Sequence, residues 1–259
     1  MSQVRRASLG QSANPGWRIW EVDAVRGVAI IEMIIYHLIW DLNYFGLFQA
    51  NLLQGPWQWF ARSIATIFLV VMGVSLTLSY QRESQRSGPT GLFTKFLRRG
   101  AKVFGLGLMI TIATYFYLEQ GFVIFGILHV LGASMVLAYP FLRLNRWVSL
   151  VTGLLVIGAG VYVDTLVVAW PWLIWLGVKQ AGTYMVDYYP LLPWFGLALL
   201  GIFIGQTFYP QGRRAFALPN LAGILPILGL RFLGRHSLLI YVIHQPILLG
   251  LLMALGVNA

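Results

Sequence analysis

Long charge-free runs dominate the chain. Residues 63–80, 121–142, 189–212 and 237–259 contain no Lys, Arg, Asp or Glu. A helix needs about 20 mostly apolar residues to cross the hydrocarbon layer, so each run predicts a spanning helix. Residues 25–40, 103–118, 147–163 and 215–230 are shorter or carry isolated ionisable groups, and they suffice with snorkelling ends or modest bilayer thinning. The pattern predicts an all-α fold: a polytopic integral membrane helical bundle of about eight transmembrane helices, forming one domain over residues 1–259. Residues 170–178 (WPWLIWLGV) are too short to cross and rich in Trp, which assigns them to the membrane interface. Pro219 and Pro226 give the seventh segment a second arrangement. If it only re-enters, Arg231 and Arg235 return to the side it came from and the last helix reverses; the spanning arrangement is the first expectation.

Composition sharpens this picture. Apolar residues make up 58% of the chain, charged residues 10%, and mean hydropathy is +0.74. Soluble domains carry about 25% charged residues, so a water-solvated surface cannot be covered. The net charge of +10 would raise nucleic acid as a partner, but placement accounts for it. With a cytoplasmic N-terminal tail over residues 1–19, one side receives Arg5, Arg6, Arg18, Arg82, Arg86, Lys95, Arg98, Arg99, Lys102, Arg143, Arg146, Arg213 and Arg214. The other side holds Asp41, Glu119, Asp164 and Asp187, with Arg62 and Lys179 as basic exceptions. The excess is a topology signal, and nucleic acid is not needed to explain it. The tail lacks the apolar core and small-residue cleavage site of a signal peptide, so no cleaved leader is expected. The absence of cysteine excludes thiolate chemistry and disulfides. No metal site is expected.

Ionisable groups inside apolar helices cost about 2.5 to 3.5 kcal/mol each on insertion scales, so they mark candidate chemistry. The first helix is richest. Asp23, Arg26, His37 and Asp41 fall within roughly 60° of one another at helical spacing, and His37 lies about 16 Å beyond Arg26. Asp41, one turn past His37, is placed to accept its ring N–H and fix the tautomer, which suits a general base. Glu32 points to the opposite face. His129 and His244 are placed to converge with His37 on one outer-half site, while each also fits a core hydrogen-bonding role. Asp23 with Arg26 also fits an anchoring ion pair. Gly105, Gly107, Gly196, Gly201 and Gly205 suit close helix packing.

The segment WEVDAVRGVAIIEMIIYH, from Trp20 to His37, resembles the opening helix of the heparan-α-glucosaminide N-acetyltransferase catalytic-domain family, in its bacterial type. FLVVMGVSL, FGILHVLG, DYYPLLPWFGLALLG and LGRHSLLIYVIHQPI extend the resemblance along most of the chain. The spacing from Arg26 to His37 is also similar to that of the broader acyltransferase-3 group. The resemblance implies transfer of an acetyl or other acyl group from cytoplasmic acyl-CoA to a sugar or cell-envelope acceptor across a bacterial plasma membrane. Under it, Arg26, Asp23, Arg98 and Arg99 serve the CoA end, the arginines meeting phosphates. Positive-inside placement alone also explains Arg98 and Arg99. His37 acts as base or carries the acyl group, and Asp41 orients it. His129, Asp187, Tyr188 and His244 serve the acceptor side; Pro190, Pro193 and Trp194 equally suit a rigid helix entry. One departure stands out. Animal members place the active histidine in the loop after this helix, and residues 42–59 contain no His. The resemblance leaves homo-oligomerisation open.

Two other classes share these residues. A His/Asp/Arg stripe suits a proton-coupled transporter of small molecules or lipids, although the chain shows no inverted repeat. Polar residues can also merely join helices in a non-catalytic partner protein.

Overall fold

The computed structural model describes residues 19–257 apart from 89, 119 and 183. Arg5, Arg6, Arg18 and Glu119 lie outside the described residues. Among the described residues eight α-helices follow in order: α1 (Trp20–Tyr44), α2 (Gly55–Ser87), α3 (Leu92–Tyr117), α4 (Ile127–Leu137), α5 (Arg146–Val163), α6 (Leu191–Phe208), α7 (Leu225–Arg235) and α8 (Ser237–Ala254). Among the described residues, α2, α3, α5, α6 and α8 are each long and apolar enough to cross a membrane. The protein is an all-α polytopic membrane bundle. A two-residue parallel pairing of Val167–Val168 with Lys179–Gln180 encloses the Trp-rich segment. That segment forms a short 3-10 turn over Pro171–Leu173 with Trp170 and Trp172 exposed.

Helix α6 is the central post. Small residues let neighbouring backbones approach it, as Gly201 meets the Val70 carbonyl and Gly205 meets Thr77 on α2. Gly196 faces Gly153 on α5, and Gly107 on α3 lies against the His129 ring. Gly105 faces open space instead, so its expected packing role is absent. Leu69, Leu199, Ile202, Phe96 and Val130 are fully buried around this post.

These contacts set the helix directions. The pairs Gly73–Gly201 and Thr77–Gly205 make α2 and α6 parallel. Gly100–Gly132 and Gly107–His129 make α3 and α4 antiparallel, while Gly153–Gly196 and Gly160–Pro193 do the same for α5 and α6. Arg82, Arg86, Lys95, Arg98, Arg99, Lys102, Arg143, Arg146, Arg213 and Arg214 therefore gather at the end where α1 begins. We call this the basic end.

Two expected spans are shorter than the charge-free runs. Within 121–142 only Ile127–Leu137 is α-helical, because Gly126 caps its start and a 3-10 turn begins at Pro140. The expected spanning helix over 215–230 is likewise corrected to 11 residues at Leu225–Arg235. Such a helix is about 16 Å long, roughly half the hydrocarbon thickness. Pro226 lies in its first turn, where its missing N–H costs nothing, while residues 215–224 stay non-helical. Gly27 packs on the Leu230 backbone and Gly234 on the Asp23 backbone, so α7 runs antiparallel to the first half of α1. Any side chain at either glycine would drive into a carbonyl. The re-entrant arrangement is the one found, and α8 leaves from the basic end alongside α1.

Candidate active site

At the basic end, Asp23 is 8% exposed and is shared by two arginines. Arg26 Nη1 donates to Asp23 Oδ1 at 3.3 Å and Arg235 Nε donates to Asp23 Oδ2 at 3.3 Å. Arg26 also donates to the Gly234 carbonyl and to the Ser75 hydroxyl on α2. One turn further along α2, Ser79 Oγ accepts from Arg99 Nη1 at 2.8 Å. Ser75 and Ser79 lie on one face about 6 Å apart, so cations from α1 and α3 meet across α2 at similar depth. Beyond them Gly91, Thr94, Lys95, Arg98, Arg99 and Lys102 line a groove of about 270 Å³. Glu83 pairs with Lys95 at 2.6 Å. The donor set suits clustered phosphates, since arginine forks and lysines satisfy several oxygens at once. Arg26, Arg98 and Arg99 are thus brought to one end, where Asp23 is the counter-ion of Arg26 and Arg235.

At the opposite end, Met33, Tyr36 and His37 of α1 line an 80 Å³ cavity. Ala61, Ile64, Ala65 and Phe68 of α2, Tyr241 of α8, Ile127, and Val186, Asp187 and Tyr189 of the loop before α6 complete it. His37 Nδ1 is 2.9 Å from the Met33 carbonyl, an acceptor only, so Nδ1 carries the hydrogen. Nε2 is left as the free acceptor of a neutral ring. Behind it His244 meets His37 edge to face, ring centroids 4.7 Å apart. His244 Nδ1 donates to the Tyr241 carbonyl at 2.7 Å, and its buried Nε2 has no partner among the described residues.

Asp41 does not orient His37 as its spacing suggested. Its Oδ1 accepts from Gln245 Nε2 at 2.6 Å, and the His37 ring N–H goes to Met33. Asp41 is 2% exposed, joining α1 to α8 one turn beyond the histidine pair.

His129 is not among the residues that line the cavity. The Gly126 N–H donates to its Nδ1 at 3.1 Å, leaving Nε2–H to the Thr111 hydroxyl at 3.4 Å. Phe125 stacks on the ring and Phe104 meets its face edge-on. Asp187 does reach the cavity, and its Oδ2 accepts the Ile127 N–H at 3.1 Å, capping α4. Burial pushes its carboxyl up to about 6, partly opposed by that hydrogen bond. The Tyr188 hydroxyl donates to the Ile174 carbonyl at 2.8 Å, and Tyr188 does not line the cavity. Its neighbour Tyr189 does, as does Tyr241.

An apolar cluster of Ile30, Met33 and Ile64, each under 7% exposed, separates Arg26 from the His37 cavity. Glu32 lies on the far face of α1, with a buried Oε2 unpartnered among the described residues. Sequence reasoning missed Gln245, Tyr241, Ser75 and Ser79. Gln245 adjoins His244, and the i, i+4 serines in VSLTLS are the one signal that a cation stripe crosses α2.

No curated protein and no solved structure is significantly similar to the chain. The family model "Heparan-alpha-glucosaminide N-acetyltransferase, catalytic" matches residues 18–246, from the start of α1 through the histidine pair to α8. With that match over most of its length, this membrane bundle belongs to the heparan-alpha-glucosaminide N-acetyltransferase catalytic family.

Proposed function

We propose that the protein is an acyltransferase that takes an acetyl or other acyl group from acyl-CoA at the basic end. It delivers the group to a hydroxyl or amine of a sugar or envelope acceptor at the opposite end. The single observation that carries this reading is the His37 ring. Its Nδ1–H is held by the Met33 carbonyl, so Nε2 is available as a base at a cavity on the far side of the bundle from the phosphate-compatible groove.

In this reading the basic end is cytoplasmic, as the lysine and arginine bias favours. Arg26, Arg98 and Arg99 bind the CoA phosphates, and Lys95 and Lys102 add charge in the same groove. The acceptor enters from the other side and gives its proton to His37 Nε2 as its O or N attacks the acyl carbon; the thioester C–S bond then breaks, and CoA leaves with that electron pair as its thiolate. Asp187 and Tyr189 present polar groups to the acceptor within the cavity. The Ile30–Met33–Ile64 cluster has to part for the thioester to reach His37, which keeps water from the thioester until then.

The test is acetyl-CoA consumption by the purified full chain in nanodiscs, with sugar and amine acceptors. Thioester consumption that His37→Ala abolishes, with the melting temperature retained, is expected. Flux driven by a pH gradient in proteoliposomes with no thioester consumed would replace this reading with transport.

A further inference from the structure

Acyl transfer needs two groups at the carbonyl, a base for the attacking atom and a donor for the oxygen on which charge collects. His37 Nε2 supplies the first. Apart from Asp187, which accepts, the polar side chains at its cavity are His37 itself and the hydroxyls of Tyr36, Tyr189 and Tyr241, each with one hydrogen to donate. Three of those hydrogens are already committed. His37 Nδ1 gives its own to the Met33 carbonyl, the Tyr36 hydroxyl donates to the Leu52 carbonyl at 3.4 Å, and the Tyr189 hydroxyl donates to the Ala61 carbonyl at 3.3 Å. The Tyr241 hydroxyl has no hydrogen-bond partner among the described residues. Its ring is held between the cluster of Ile30, Met33 and Ile64 and the larger cluster around α6. Asp187 and Tyr189, both at the cavity, act electrostatically on the hydroxyl, which places it on the cavity wall. The backbone is fixed too, because the Tyr241 carbonyl accepts from His244 Nδ1 at 2.7 Å.

We infer that Tyr241 is a further catalytic residue, whose hydroxyl donates a hydrogen bond to the acyl oxygen as negative charge builds on it. This role rests on the acyl-transfer reading. Tyr241 and His37 face one 80 Å³ space, roughly the room of three waters, so an acyl carbon placed there is in reach of both. In the transfer, an acceptor lone pair bonds to the acyl carbon and the acceptor proton goes to His37 Nε2. The π pair of the carbonyl moves onto its oxygen, and the Tyr241 O–H points at that oxyanion without giving up its hydrogen. When the pair returns to carbon, the C–S bond breaks and CoA leaves with its electrons as the thiolate. A neutral phenol suits this wall. A lysine or arginine in its place would oppose protonation of His37 and would cost more to bury among the apolar α2 residues. Tyr36 and Tyr189 would each have to give up a carbonyl before donating, and Tyr241 gives up nothing.

The experiment compares Tyr241→Phe with wild type as full chains in nanodiscs, with acetyl-CoA and the same sugar and amine acceptors. Phenylalanine keeps the ring that both clusters pack on and removes only the donor. The expected result is a kcat lower by about 10²–10³-fold, the usual loss for one oxyanion donor, with KM for acetyl-CoA and melting temperature near wild type. An unchanged kcat overturns the inference, and so does a raised KM at unchanged kcat. Incorporation of 3-fluorotyrosine at position 241 is the second arm, and it applies equally if the phenylalanine protein melts early. That side chain keeps the ring and carries a stronger O–H donor, so kcat is expected to hold or rise; a kcat as low as that of Tyr241→Phe overturns the role. Wild-type protein that consumes no acetyl-CoA removes the acyl-transfer reading and this role with it. Active wild type with an equally active Tyr241→Phe removes this role alone.

Discussion

His129 and the pair His37/His244 are the same residue type in helices of the same bundle, and they differ in one count. Both nitrogens of His129 are partnered, by the Gly126 N–H and the Thr111 hydroxyl, and its faces are covered by Phe125 and Phe104. In His37 and His244 only Nδ1 is partnered, in each case by a carbonyl one turn back. His129 has spent its hydrogen-bonding capacity holding α4 to α3. The other two keep an acceptor in reserve, one of them at a cavity. A histidine in an apolar helix is therefore judged by which nitrogen is left over, not by its depth.

The sharpest way to break this contrast is a matched pair of alanine variants. His37→Ala is expected to lower the rate of acetyl transfer by about 10²–10⁴-fold, the usual contribution of a positioned base, with thermal stability near wild type. His129→Ala is expected to do the reverse. It orphans the buried Gly126 N–H and strips a ring from between two phenylalanines, costing at least about 1–3 kcal/mol of stability while activity per folded molecule holds. Activity assays normalised to the folded fraction, together with melting curves in the same nanodiscs, separate the two. Equal stability losses without a catalytic difference would erase the distinction.

A smaller effect probes the His129 side alone. A Cβ at Gly107 would lie 3.0 Å from that ring, tighter than ordinary contact. Gly107→Ala is expected to cost about 1 kcal/mol or somewhat more through forced displacement of the imidazole, with kcat unchanged. Melting temperature and kcat measured together report both halves of the expectation. Gly107→Val should enlarge the first without touching the second.

The seam on α1 was legible because its four ionisable groups recur in helical register, and the structure does carry them toward α2, α7 and α8. The partner choice within it was not. Asp41 and His37 are one turn apart, but Asp41 bonds Gln245 across 204 positions of sequence and His37 takes a carbonyl of its own helix. A backbone acceptor is always available to a helical side chain, and no sequence pattern reports when it wins. The short α4 was hidden for a similar reason. Its start is fixed by Asp187, 60 residues away, while the surrounding run carries no charged residue to mark a boundary. The re-entrant α7 was signalled by Pro219 and Pro226, yet its depth is decided by the contact of Gly27 and Gly234 with facing backbones. Hydropathy measures whether a segment tolerates lipid, and it does not measure whether a neighbouring helix leaves it room to cross.

The mildest test concerns Asp187, which belongs to both sides of the contrast because it caps α4 and also faces the His37 cavity. Burial raises its carboxyl to about 6 in the folded protein. A raised carboxyl favours the protonated form in the fold relative to the unfolded chain. Its contribution is therefore full below the unfolded value of about 4 and is lost as pH rises through about 6. Stability of the wild-type protein is expected to decline modestly across that window. Asp187→Asn keeps an oxygen for the Ile127 N–H but cannot ionise, so its melting temperature should lack that decline and cross the wild-type curve between pH 4 and 6. Parallel curves at every pH would mean that the carboxyl sheds its charge penalty through the cavity. Asp187 would then belong with His37 as a solvated group facing the acceptor, and the boundary between the structural and the chemical residues would move one side chain further into the loop.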